Sequence, residues 1–124
     1  MKFLALCHYS SADFARLGPD DFAEIGAICA PHDKALRDSG HLIAVGSLAF
    51  PEQSKTLLVE GGVVSTKDGP YAQTPEPFGA FFLFEAASFD EAVTIAMLHP
   101  GVHLGAKFGR GGIEIRQIES FEQP

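Results

Sequence analysis

A chain of 124 residues, 46% of them hydrophobic, has the size and apolar content of one globular domain, residues 1–124. Its formal charge of -7 and pI near 5.0 exclude a general affinity for phosphate backbones or anionic lipid, so neither nucleic acid nor a membrane surface is an expected partner. Its longest apolar stretches fall well short of the roughly 20 residues of a membrane helix, Cys7 and Cys29 make no disulfide framework, and the opening residues lack the pattern of an export signal, so a cytoplasmic location is expected.

Residues Lys2–Tyr9 alternate as a strand, with Phe3, Ala5, Cys7 and Tyr9 on one face and Leu4, Leu6 and His8 on the other. Both faces are largely apolar, which suits a sheet covered on both sides, by helices or by a second subunit. A loop containing Gly18 and Pro19 leads into a run from Asp20 to Asp38. Phe22, Ile25, Cys29, His32 and Leu36 recur there at spacings of three and four, the stripe of one helical face. Pro31 lacks an amide donor and crowds the preceding turn, so it is expected to kink or split this helix near Ala30.

His41–Phe50 reads as a strand closed by Pro51, and Lys55–Glu60 with Val63–Lys67 as a hairpin turning at Gly61-Gly62. Gly79–Ala86, with Phe81, Phe82, Leu83 and Phe84 in succession, is the strongest strand candidate and is expected at the centre of the sheet. Ser88 and Glu91 stand at capping-box spacing ahead of Ala92, Val93, Ile95, Ala96 and Leu98, a helix that Pro100-Gly101 ends. Gly112–Ile118 supplies a last strand. The order β, α, β, hairpin, β, α, β is that of an α+β, ferredoxin-like fold with a mostly antiparallel sheet.

Asp68-Gly69-Pro70-Tyr71-Ala72, then Gly79-Ala80-Phe81-Phe82-Leu83, Asp90-Glu91-Ala92, Pro100 and Ile113-Glu114-Ile115-Arg116 resemble the YCII-related family in its DGPF-containing branch. Tyr71 stands where that motif usually has Phe. Gln73 and Pro75 replace the acidic and basic residues that often follow it. The resemblance spans almost the whole chain and implies a dimeric α/β-barrel, in which sheets of two subunits pack face to face and leave pockets beside the interface. It implies membership of a superfamily that includes small-molecule isomerases, monooxygenases and dehydrochlorinases. The His and Asp pair proposed for some YCII-like proteins does not transfer by position, because His32 lies nearer Gly40 than that pattern requires.

The candidate catalytic residues are therefore drawn from this sequence itself. His32 shares the helical stripe that faces the sheet and suits proton transfer in a pocket; a hydrogen-bonded core imidazole explains it as well. Asp68 is the candidate orienting carboxylate, or a residue that bonds the amides of its own turn. Tyr71 offers a substrate-binding hydroxyl, or a ring packed under a loop. His8, His99 and His103 are placed so that the fold brings some of them towards His32, without a familiar zinc spacing. Gly105–Gly112, with Lys107 and Arg110, reads as a flexible connection in preference to an anion cradle. The leading reading is a homodimeric small-molecule enzyme or enzyme-like protein that performs isomerisation or elimination by proton transfer, with no cofactor and no metal. Its rival is a non-catalytic ligand-binding or regulatory module.

Overall fold

The alternation along Lys2–Tyr9 builds β1 of the computed structural model, which describes residues 1–124. α1 (Ser11–Ala15) and α2 (Pro19–Asp38) lead to β2 (Leu42–Ser47), and β3 (Lys55–Glu60) and β4 (Val63–Asp68) form the hairpin. β5 (Phe78–Glu85), α3 (Phe89–Ala96) and β6 (Gly111–Gln117) complete the chain. The main sheet has the order β2-β5-β1-β6 with every neighbouring pair antiparallel, so β1-α2-β2 and β5-α3-β6 are two split βαβ units. This is the expected α+β ferredoxin-like arrangement, and β5 holds the interior place its run of phenylalanines predicts.

One face of the sheet carries the core. Phe3 lies opposite Phe84 and Ala5 opposite Phe82, with Ile115 beyond Ala5 on β6. These side chains pack with Leu36 of α2 and with Ala92, Ile95 and Ala96 of α3. The rings of Phe3 and Phe84 stack at 5.7 Å, and Phe89 meets Phe3 edge-on at 5.3 Å. The opposite face, with Leu4, Leu6, Phe81 and Leu83, has no helix over it and stays half-exposed. Only 12 of the 124 residues are buried, which one-sided packing explains. The chain exposes 8386 Å² for a mass of 13.3 kDa, about 1,900 Å² more than a compact monomer of that mass.

Three local features depart from the sequence expectations. α2 runs unbroken through Pro31. The proline removes one amide donor from the Ala27 carbonyl without splitting the helix, and the exposed Arg37–Asp33 pair at 2.8 Å and Lys34–Asp38 pair lie in the turns that follow it. At the helix start, Pro19 occupies the first turn and the Asp21 carboxylate accepts the Gly18 amide at 2.9 Å. α1 replaces part of an expected loop; its five residues are too few to show periodicity, and its signal is Ser10, whose hydroxyl accepts the Asp13 amide at 3.3 Å. β2 ends at Ser47, short of Phe50; the Leu48 amide still donates to the Gly79 carbonyl of β5 at 2.8 Å, and the chain leaves the sheet after it.

The hairpin turns where expected. Gly61 and Gly62, at φ 55° and 78°, supply the two left-handed residues that a two-residue turn between twisted strands requires. β3 and β4 pair only with each other, so the hairpin stands off the main sheet. At the cap of α3, the Ser88 hydroxyl accepts the Glu91 amide at 3.1 Å, as its spacing predicts.

Phe84 has no exposed surface and touches the rings of both Phe3 and Phe82. Phe84→Ala is expected to remove about 3–5 kcal/mol of stability, measured as a lower urea midpoint at unchanged slope. A loss below about 1 kcal/mol would show that the ring does not support the core.

Candidate functional site

The turn after β4 is fixed from the backbone outward. Gly69, at φ 99°, takes a conformation that side chains resist, and its amide donates to the Ser54 carbonyl at 2.7 Å. The Thr56 hydroxyl donates to the Gly69 carbonyl at 2.8 Å. Asp68-Gly69-Pro70 is thereby stapled to the root of β3, and the chain continues through Tyr71 to a segment that extends the pairing of β1. There Tyr9 and Ser11 donate their amides to the carbonyls of Pro77 and Pro75 at 3.0 and 2.9 Å. Between this segment and the loop after β2 lies a cavity of about 820 Å³, whose walls include His8, Phe50, Glu52, Tyr71, Glu76 and Phe78. That volume suits a small organic molecule.

His8 is the one imidazole in this cavity. Its Nδ1 lies 2.9 Å from the Glu76 carbonyl, and since a carbonyl only accepts, Nδ1 carries the proton of the neutral ring. Nε2 makes no hydrogen bond within the chain and keeps its lone pair for a proton from a ligand. The Phe78 ring meets the imidazole edge-on at 5.8 Å and fixes its plane. Tyr71 is 77% exposed, so its hydroxyl is accessible to a ligand, and Lys67 donates to its backbone carbonyl at 3.3 Å. Glu52 and Glu76 are the charged groups of the lining, and no Lys or Arg belongs to it.

Within one chain the three sequence candidates do not share a pocket. Tyr71 lines the cavity, whereas His32 and Asp68 do not. The Asp68 carboxylate is largely exposed and pairs with Lys55 across the hairpin at 2.7 Å. His32 lies flat against His103, ring centres 3.8 Å apart and planes 3° apart. His103 Nε2 donates to the Met97 carbonyl at 2.8 Å. The fold thus brings His103 to His32, and it brings neither of them to Asp68.

His99 sits deeper. Its Nδ1 accepts the Gly101 amide at 2.9 Å, which leaves Nε2–H facing Cys7 Sγ at 3.8 Å, and its ring stacks on Phe82 at 4.9 Å. Burial pushes its pKa down, opposed by the charge of Asp33. Burial also pushes the Cys7 thiol up to about 11, and Cys29 is raised by burial and by Asp33, so both cysteines are thiols at neutral pH. A smaller cleft of about 260 Å³, lined by Asp33, Arg37, Ser47, Phe81 and His99 among others, opens beside this group. No three His, Cys, Asp or Glu side chains are grouped to hold a metal ion.

The Gly105–Gly112 segment has its cations committed. Lys107 pairs with Glu24 at 2.7 Å, and Arg110 reaches Glu76 at 3.7 Å and Asp13 at 4.0 Å. The Arg110 amide donates to the Asp13 carboxylate, the main reason that the Asp13 pKa is lowered. Gly109, at φ 99°, lies so close to Asp13 that an added Cβ would come within 2.5 Å of its side chain. The glycines here serve a tight crossing over α1, the connection the sequence suggests.

Residues 1–122 match the family model described as YCII-related domain. Among curated proteins none matches the chain. Of solved structures, the chain is similar to 5-chloro-2-hydroxyhydroquinone dehydrochlorinase (TftG) from Burkholderia phenoliruptrix AC1100 in complex with 2,5-dihydroxybenzoquinone. Identity is 18%, the TM-score 0.42, and the match covers 96% of this chain and 94% of that one. No helix is long and apolar enough to cross a membrane.

The Cys7 shift carries a sign. Its ordinary pKa of 9.0 is raised to about 11 in the folded chain, so above pH 9 the unfolded state releases a proton that the folded state retains. Stability is expected to be intact below pH 9 and to fall as pH rises from 9 to 11. Urea midpoints across that range should fall less steeply for Cys7→Ala than for the parent; equal slopes would remove the assignment to Cys7.

Proposed function

The chain belongs to the YCII-related domain family, and from that premise we propose that it is a small-molecule enzyme-like protein working in the cavity beside Tyr71. The reaction class is isomerisation or elimination by proton transfer without a cofactor. The observation that carries this reading is the tautomer of His8: its proton is held on Nδ1 by the Glu76 carbonyl, and its basic Nε2 is free at a cavity wall. His8 takes the proton, the Tyr71 hydroxyl positions the substrate, and Phe50 and Phe78 supply apolar surface for its body. We place the chain in the DGPF-containing branch on Asp68–Ala72, with a cytoplasmic location from its composition.

The working unit in this reading is a homodimer joined through the open sheet face, where Leu4, Leu6, Phe81 and Leu83 lack a helical cover. A His32–Asp68 acid–base pair requires the two residues to meet across that dimer, because within one chain His103 and Lys55 hold them apart. Their substitutions therefore separate two arrangements of the same chemistry. In the non-catalytic alternative the cavity binds its ligand and releases it unchanged.

With no Trp and two Tyr, the Tyr9→Phe variant leaves Tyr71 as the sole fluorophore of its kind. Compounds that occupy the cavity are expected to change its emission, and those that bind can be assayed for turnover. On a turned-over compound, His8→Gln is expected to lower kcat by about 10²–10⁴-fold, and Tyr71→Phe to raise KM by about 3–10-fold. His32→Gln should leave kcat near that of the parent. The opposite pattern, with His32→Gln inactive and His8→Gln normal, would move the chemistry to the His32–Asp68 pair, and binding without turnover would favour the ligand-binding module.

A further inference from the structure

We propose that the β3–β4 hairpin is an arm that lays its Leu57–Val59–Val64 face on a second copy of this chain, and that this contact steadies the cavity at the arm's root. The proposal rests on the dimer reading above and adds to it a surface outside the main sheet. Alternation and register put Leu57, Val59 and Val64 on the same side of the hairpin, with Val59 directly opposite Val64. Leu57, Val59 and Val64 are 68%, 70% and 62% exposed. Single exposed apolar residues are ordinary on a protein surface; three adjoining ones on a projecting hairpin make a contact patch.

The strands of the arm bond only to each other, and every residue of β4 is exposed. A lone two-stranded hairpin is marginal in water, so a regular one of this kind calls for cover. The occupant is read from area. The roughly 1,900 Å² by which the chain exceeds a compact monomer is about what each partner surrenders in a large homodimer interface, and more than the roughly 800 Å² per partner of a standard-size one. The half-covered sheet face and the fully exposed β4 strand of the arm both contribute to that excess. In a two-fold dimer each arm has an equivalent, so both arms are covered with no surface left to propagate.

The arm also reaches the cavity through its root. Thr56 and Gly69, at the ends of the two strands, line the cavity and bond to each other, and Pro70 and Tyr71 follow directly. Fixing the arm therefore fixes the wall that carries Tyr71.

The test uses the full chain with a benzoylphenylalanine photocrosslinker at Val59 and, as a control, at exposed Glu119. Irradiation is expected to give a covalent dimer from position 59 with attachment mapped to the second copy, and little from position 119. In parallel, the double variant Leu57→Asp, Val59→Asp is expected to weaken the dimer by about tenfold or more in sedimentation equilibrium, with far-ultraviolet circular dichroism unchanged. If the double variant fails to fold, the crosslink decides, since its bulky apolar probe keeps the patch apolar. A dimer that survives both Asp substitutions and gives no position-59 crosslink would overturn the arm and leave the dimer reading standing. A parent protein that sediments as a monomer at high micromolar concentration would overturn both.

Discussion

The fold depends on one cross-strand contact, the pairing of Phe3 on β1 with Phe84 on β5, both without exposed surface. Their stacked rings set the register of the two interior strands, and a slip of one residue would turn the slipped strand's ring out of the core. β6 adds to β1 and β2 to β5 in the same register, which directs Ala5, Phe82 and Ile115 towards α2 and α3. What the helices cover on one side they leave uncovered on the other. The alternation that buries Phe3 and Ala5 delivers Leu4 and Leu6 to a face that nothing else in the chain occupies.

The candidate cavity is a product of where the sheet stops. The β1–β5 pairing passes over Gly79 between Cys7/Ala80 and His8/Phe78, and beyond it Tyr9 and Ser11 bond the Pro75–Pro77 segment instead of a full strand. Gly79 leaves room for the Tyr9 ring, which would come within 2.8 Å of any Cβ there. His8, still in register with Gly112 of β6, stays on the face of Leu4 and Leu6, where it meets the Phe78 ring and reaches the Glu76 carbonyl.

The order of strands and long helices was legible in the sequence because each rests on a local rule: alternation for β1, a phenylalanine run for β5, paired glycines for the hairpin, Ser88 for the cap of α3. Of the two outcomes expected at Pro31, a split did not occur, because α2 continues as one helix on both sides of it. α1 escaped because a single turn has no period to read, although Ser10 ahead of Asp13 marked its start. At the site, the Asp68-Gly69-Pro70 turn could be read from the motif, whereas Tyr71 read equally as a ring packed under a loop and is 77% exposed. His8 could not be ranked above the other histidines, because its tautomer is set by a backbone carbonyl 68 residues away. His32 looked eligible on its helical stripe, and its stacking partner His103 lies beyond α3, a contact that no local pattern encodes.

The position of β1 in the sheet also governs how the chain must fold. It is an interior strand, and its neighbours β5 and β6 are distant in sequence: Phe3 pairs with Phe84 and with Gln117. The first-made strand thus waits for residue 84 before one of its edges is satisfied and for nearly the last residues before both are. Contacts of such long range carry a large loop-closure entropy and slow the search. During synthesis the apolar β1 segment is exposed on both edges, able to pair with other nascent strands, until β5 arrives. Chaperone occupancy of the emerging chain would thus track the wait for residue 84, the point at which the central aromatic pair can close.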